Sequence, residues 1–112
     1  RNYGEAHRAA VAAGDLFFQG AALVNMSMVY NDLGDPAEGL RLCRQGLAIF
    51  EQIGDEPRQA IARYELGNNA LYLGRWDEAR EQLDGAVALA QRLGLDARLL
   101  NSYWCLGLLE LF

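Results

Sequence analysis

Lysine is absent from the 112 residues, and the chain has only two cysteines, two prolines and one histidine. Two cysteines cannot form the disulfide framework of a small secreted domain, and such low usage is typical of a reducing compartment. No apolar run reaches the roughly 18 residues that a membrane-spanning helix needs, and residues 1–5 lack the pattern of a signal peptide. The composition therefore predicts a cytoplasmic protein without disulfides or membrane spans.

Positive charge is scarce and scattered. All ten cations are arginines, they stand singly among 15 acidic residues, and the formal net charge is −5. Because nucleic acids and anionic membranes are bound through basic stripes or patches, we expect neither as a direct partner. Arginine as the only cation, together with 17 alanines and 19 leucines, is typical of a GC-rich bacterial genome, which bears on source and not on function.

The sequence repeats itself with a period of 40 residues. A shift of 40 aligns Leu33-Gly34 with Leu73-Gly74, Leu66-Gly67 with Leu106-Gly107, and Gly14 with Gly54 and Gly94. Many of the non-identical pairs keep the size of the side chain, as Gly46 and Ala86 do. Such a period predicts stacked copies of one supersecondary unit.

Glycines and capping residues divide each period into two helices. Gly just beyond an apolar-periodic stretch is the usual helix stop, and Asp35-Pro36 and Glu56-Pro57 are typical starts. The apolar residues recur at spacings of three and four, and no stretch alternates with period two, so we expect an all-α protein. The predicted helices are 2–13, 16–33, 36–53, 57–73, 76–93 and 96–112. Glycines that recur in phase inside them predict close approach of helix backbones.

Side chains suited to catalysis are few. His7 aligns with Leu47 and Val87, which indicates a packed or half-exposed histidine and not a ligand or base. Cys43 aligns with Leu83, and Cys105 lies beside Trp104 without a histidine neighbour, so both thiols are predicted to be buried and inert. The sequence contains no metal-ligand spacing, phosphate-binding loop or nucleophile elbow. We therefore expect no enzymatic activity, no cofactor and no metal.

At this point the pattern resembles the tetratricopeptide repeat. The small and large positions of that family fall on Leu66-Gly67, Gly74, Ala79, Leu83 and Ala86. The 40-residue period and the run from Leu73 to Trp76 are similar to its long-repeat branch, although Arg63 stands where an aromatic is usual. The resemblance implies a right-handed α-solenoid of antiparallel helix pairs and a module that binds proteins or peptides. That branch includes adaptor proteins of animals and the sensor or scaffold arms of large bacterial regulatory and signalling proteins. The composition of this chain is more similar to the bacterial members.

The phase of the repeat predicts one domain over 1–112. It comprises a half repeat 1–14, repeats at about 15–54 and 55–94, and a half repeat 95–112. The chain begins without Met and ends in an apolar run, which we interpret as a piece of a longer protein. Terminal repeats normally need polar outer faces, so these uncapped ends predict self-association.

The resemblance implies a concave groove lined by the first helix of each repeat. Carried onto this chain, its positions include Val24, Met28, Asn31, Ile61, Tyr64, Asn68, Tyr72, Asn101, Trp104 and Leu108. Aromatic side chains offer large contact area at low entropic cost, and Asn can pair with a peptide backbone. The basic clamp for an acidic peptide terminus is absent.

Three interpretations of these residues remain open. An open apolar strip would favour a protein–protein scaffold. An enclosed pocket around Tyr64, Asn68, Tyr72 and Trp104 would favour an arm that senses a ligand or signalling peptide and controls an attached effector domain. Tyr64 and Trp104 could instead pack between neighbouring repeats.

Overall fold

The computed structural model describes residues 4–5, 8 and 15–100, and within them the chain is entirely helical, without strands. Its elements are α1 (Leu16–Asp32), α2 (Pro36–Ile53), α3 (Glu56–Tyr72), α4 (Trp76–Arg92) and a 3₁₀ turn (Ala97–Leu99). The four α-helices confirm the second to fifth predicted helices to within a residue at each end. Predicted helix 2–13 lies largely outside the described residues. The sixth predicted helix, 96–112, begins as the 3₁₀ turn, and its residues after 100 also lie outside the described residues. None of the described helices is long and apolar enough to cross a bilayer.

Local chemistry sets the ends of these helices. Asp15, Asp35 and Asp55 lie 20 residues apart, and each carboxylate accepts the backbone N–H three residues further on, at 3.2 Å. These hydrogen bonds satisfy donors that the first turn of a helix leaves free. At the opposite ends, Gly54 and Gly74 adopt φ values of +71° and +73°, where other residues would be strained. The alternation of Asp and Gly therefore fixes helices of nearly equal length.

The helices form two stacked pairs. Each pair is joined by a short turn, so α1 runs antiparallel to α2 and α3 to α4, while α2 also packs against α3. The first core cluster draws on all four helices and includes Val24, Cys43, Phe50, Leu66 and Ala79. The second cluster places Ile61, Ala86 and Ala90 against Leu100. Each repeat thus covers the apolar face of the next, as in a solenoid.

Helical glycines allow the backbones to approach closely, as predicted. A Cβ atom built on Gly39 would lie 2.9 Å from the carbonyl oxygen of Ser27 in α1. A Cβ on Gly46 would lie 2.8 Å from the Val24 side chain, and one on Gly67 would lie 2.6 Å from Leu83. These distances are shorter than van der Waals contact, so a side chain at any of the three positions would force its neighbour to move.

Candidate functional site

The two first helices, α1 and α3, lie side by side. They contact each other directly, whereas no comparable helix packing joins α2 to α4 within residues 15–100. The second helices are linked instead by an ion pair between Arg44 and Glu78. Because the stack is more closely packed along α1 and α3, we call their solvent-facing surface the inner face. The predicted groove positions that fall within the described residues belong to these two helices.

Four of the predicted groove residues have solvent-accessible side chains on the inner face. Met28 and Asn31 of α1 and Asn68 of α3 are half-buried. Tyr72, at the end of α3, is 72% exposed. These residues combine one aromatic ring, one flexible apolar side chain and two amides, which suits contact with a peptide.

Two predicted groove residues do not contribute to this surface. Val24 and Ile61 have no exposed area, because they fill the first and second core clusters. Tyr64 is half-buried and packs against the second cluster, as expected if it lies between repeats. The remaining predictions, Asn101, Trp104 and Leu108, lie outside the described residues.

A second exposed apolar region lies at the turn between α3 and α4. Leu71 is 40% exposed, Trp76 is 67% exposed, and both lie near Tyr72 in the sequence. Leu33, at the corresponding turn of the first repeat, is 74% exposed. The predicted groove positions did not include Leu33 or Trp76, although Trp76 belongs to the Leu-Gly-Arg-Trp run that carried part of the family resemblance.

Polar side chains are buried beneath the inner face. Asn69 is fully buried, and neither its amide nitrogen nor its amide oxygen has a hydrogen-bond partner among the described residues. Ser27 donates to the carbonyl of Val24 at 2.8 Å, and the Cys43 thiol donates to the carbonyl of Ala62 at 3.1 Å. Burial, and then the nearby Glu65 carboxylate, raise the pKa of Cys43 well above its usual range. The buried state predicted for this thiol is confirmed.

Glu65 is the unexpected member of this buried region. Glu65 is only 5% exposed. Its burial, and to a smaller extent repulsion from Asp32, raises the pKa of its carboxyl to about 7. The repeat alignment gave no sign of this, since the equivalent residue is Asn25. Within the described part of the chain, no three His, Cys, Asp or Glu side chains come together as metal ligands would.

A shallow open groove of about 460 Å³ lies between α3 and α4, away from the predicted residues. It is lined by Glu56, Gln59, Arg63, Gly85, Ala88, Leu89 and Arg92. Arg63 replaces the usual aromatic and bridges Gln82 at 3.1 Å and Glu51 at 2.9 Å. Arg92 pairs with Glu56 at 2.5 Å, which lowers the pKa of that carboxyl. Both cations of the groove are therefore already neutralised.

Comparison with known proteins identifies the repeat. A family model described as tetratricopeptide repeat matches residues 18–92, which include most of α1 and all of α2, α3 and α4. No curated protein and no solved structure matches the chain. Tetratricopeptide repeats are protein–protein interaction scaffolds and are generally non-catalytic.

Proposed function

Because the chain belongs to the tetratricopeptide repeat family, we propose that it is an interaction scaffold whose inner face binds an extended or helical segment of a protein partner. The observation that carries this proposal is the exposure of Tyr72, at 72%, beside Leu71 at 40%. Adjacent exposed apolar side chains mark interaction sites, and tyrosine is among the residues that contribute most of the binding energy where proteins meet.

The neighbouring residues suit a peptide more than a flat protein surface. Asn31 and Asn68 lie one on each first helix and are half-buried, so their amides can both donate to and accept from a main chain. Met28 adds a flexible apolar contact that can adapt to different side chains. We infer a segment that places apolar side chains near Tyr72 and offers its main chain to the asparagines.

An open surface fits this role better than the alternative of a ligand-sensing arm. A sensor needs a pocket that encloses most of its ligand, whereas Tyr72 is largely exposed. The groove of about 460 Å³ between α3 and α4 is open, and both of its arginines are paired with Glu or Gln side chains. The composition favours a setting within a larger bacterial regulatory protein, which we propose as the context of this scaffold.

Selection of random 12-residue peptides against the whole chain tests the proposal. Peptides that use the inner face should bind Tyr72→Ala at least tenfold more weakly, since a central aromatic contact contributes about 2 kcal/mol or more. Asn68→Ala should weaken the same peptides through the main-chain contacts. Val87→Ala is the matched control, because Val87 is exposed on α4 and lies outside the inner face. Peptides that bind Tyr72→Ala and Asn68→Ala as tightly as the unmodified chain would contradict the proposal.

Self-association is a second candidate property with its own supporting observation. Leu73 packs against the first core cluster, which draws on both repeats. Leu33 occupies the same place one repeat earlier and is 74% exposed. A helix from a second copy could cover Leu33 as the core cluster covers Leu73.

A further inference from the structure

Three helices meet at one point beneath the inner face. A Cβ atom on Gly39 of α2 would lie 2.9 Å from the carbonyl oxygen of Ser27 in α1 and 3.2 Å from the amide nitrogen of Asn69 in α3. The Cys43 thiol, one turn along α2, donates to the carbonyl of Ala62 in α3. We call this junction of α1, α2 and α3 the seam. It is the place where the first repeat contacts the second.

Glu65 places a carboxyl group in the seam. It lies one turn before Asn69 on α3 and is 5% exposed, while Asn69 is fully buried. None of the ion pairs between described residues includes Glu65. A buried carboxylate without a cation is expensive, so the neutral acid is the form that this packing favours.

The charged groups around Glu65 reinforce this preference. From α1, Asp32 repels a negative charge on Glu65; from α2, Cys43 interacts with Glu65, and its thiol is neutral because burial raises its pKa. The two arginines of α3 itself are held elsewhere, Arg58 by Asp55 at 3.3 Å and Arg63 by Glu51 at 2.9 Å. No neighbour in the described structure therefore compensates a negative charge at this position.

We propose that Glu65 is a proton-linked latch between the two repeats: when it is protonated, α1 packs closely on α3, and its ionisation loosens that contact. The inner face spans the same two helices, so loosening the seam also changes the spacing between Met28 and Asn31 on α1 and Asn68 and Tyr72 on α3. The proposal concerns the packing of the repeats and does not depend on which partner binds.

The direction of the pH dependence follows from linkage. The pKa of Glu65 is about 7 in the folded chain, against an ordinary value of 4.5. Between these two values the folded state holds a proton that the unfolded state has lost, so rising pH disfavours folding. The folding equilibrium constant should fall by the order of 100-fold across that interval, since each pKa unit corresponds to a factor of ten. Above about pH 7 the contribution of Glu65 is constant.

The test compares urea unfolding of the whole chain at pH values from 5.5 to 8.5 with that of Glu65→Gln, which mimics the neutral acid. The unmodified chain should lose stability as the pH rises, and Glu65→Gln should retain the stability that the unmodified chain has at low pH. Glu81→Gln, at an exposed position of α4, is the matched control and should keep the original slope. Equal slopes in Glu65→Gln and the unmodified chain would overturn the proposal.

A second measurement reports on the seam directly. Nitroxide labels are attached to the cysteines of Val29→Cys on α1 and Tyr72→Cys on α3, both at exposed positions. Electron spin resonance then measures the distance between the first helices, and Cys105→Ser prevents labelling at Cys105. That distance should lengthen as the pH passes 7 and stay short in Glu65→Gln. Asp32→Asn removes the negative charge that helps to raise the pKa of Glu65, so Glu65 should ionise, and the distance should lengthen, at lower pH. A transition that does not respond to Asp32→Asn or Glu65→Gln would overturn the latch.

Discussion

Replacing Gly39 by alanine tests whether the seam is as closely packed as the geometry indicates. The new methyl group would lie 2.9 Å from a backbone oxygen, that of Ser27, and 3.2 Å from the Asn69 amide. A flexible side chain could move away from such a contact, but the backbone oxygen is held within α1. We therefore expect α1 and α2 to separate slightly, with loss of packing on both sides of the junction.

The magnitude follows from two opposing effects. Alanine is favoured over glycine inside a helix by about 0.5–1 kcal/mol, whereas overpacking a close contact costs about 1–3 kcal/mol. Gly85→Ala separates them, since its Cβ would lie 3.6 Å from Arg63, an ordinary contact. We expect Gly85→Ala to stabilise the chain by about 0.5–1 kcal/mol and Gly39→Ala to be less stable than Gly85→Ala by about 1–3 kcal/mol.

Urea unfolding followed by circular dichroism at pH 6 measures both variants. For a domain of this size, each 1 kcal/mol should also move Tm by about 4–8 °C. An unchanged dependence of the unfolding free energy on urea would show that the two variants expose the same surface. If Gly39→Ala were as stable as Gly85→Ala, the close approach of α1 and α2 at this junction would be refuted.

Two further predictions concern the core and the exposed apolar edge. Cys43 is fully buried, and burial raises its pKa. Iodoacetamide should therefore modify its thiol only on global unfolding. Mass-spectrometric mapping that finds rapid alkylation of Cys43 in the folded chain would contradict this prediction. Leu33→Glu should abolish any concentration-dependent rise in mass above 12.4 kDa in light scattering, with Val87→Glu as the exposed control, and should change stability by less than about 0.5 kcal/mol because Leu33 is largely exposed. An oligomer that persists in Leu33→Glu would exclude this edge as the contact.

The sequence predicted the helices well because their ends depend on short-range chemistry. Asp35 and Gly54 act through hydrogen bonds and backbone angles within a few residues, so their signals survive without knowledge of the fold. The close approaches at Gly39 and Gly67 were also predictable, because the 40-residue shift pairs Gly39 with Ala79 and Gly67 with Gly107. Arg75 departs from the pattern: it occupies the N-cap of α4 without a side-chain hydrogen bond.

The candidate site was only partly predictable because side-chain exposure depends on how each repeat is rotated against its neighbour. Val24 and Ile61 occupy groove positions by alignment, yet both are fully buried in the cores. The burial of Glu65 was equally unpredictable from the sequence, because a glutamate within a helix is ordinarily solvated. Nothing local distinguishes it from an exposed residue, and its burial follows from the packing of α1 and α2 on α3.

The exposed contact residues and the buried seam act on the inner face in different ways. Tyr72 supplies contact area directly, so its replacement should weaken a bound peptide without changing the relation of α1 to α3. Glu65 supplies no accessible surface but affects the spacing of the two helices that carry Asn31 and Asn68. A partner that contacts both helices is sensitive to that spacing, because binding energy is lost when groups on a rigid surface are displaced. Its affinity would then depend on pH through a residue that it never contacts.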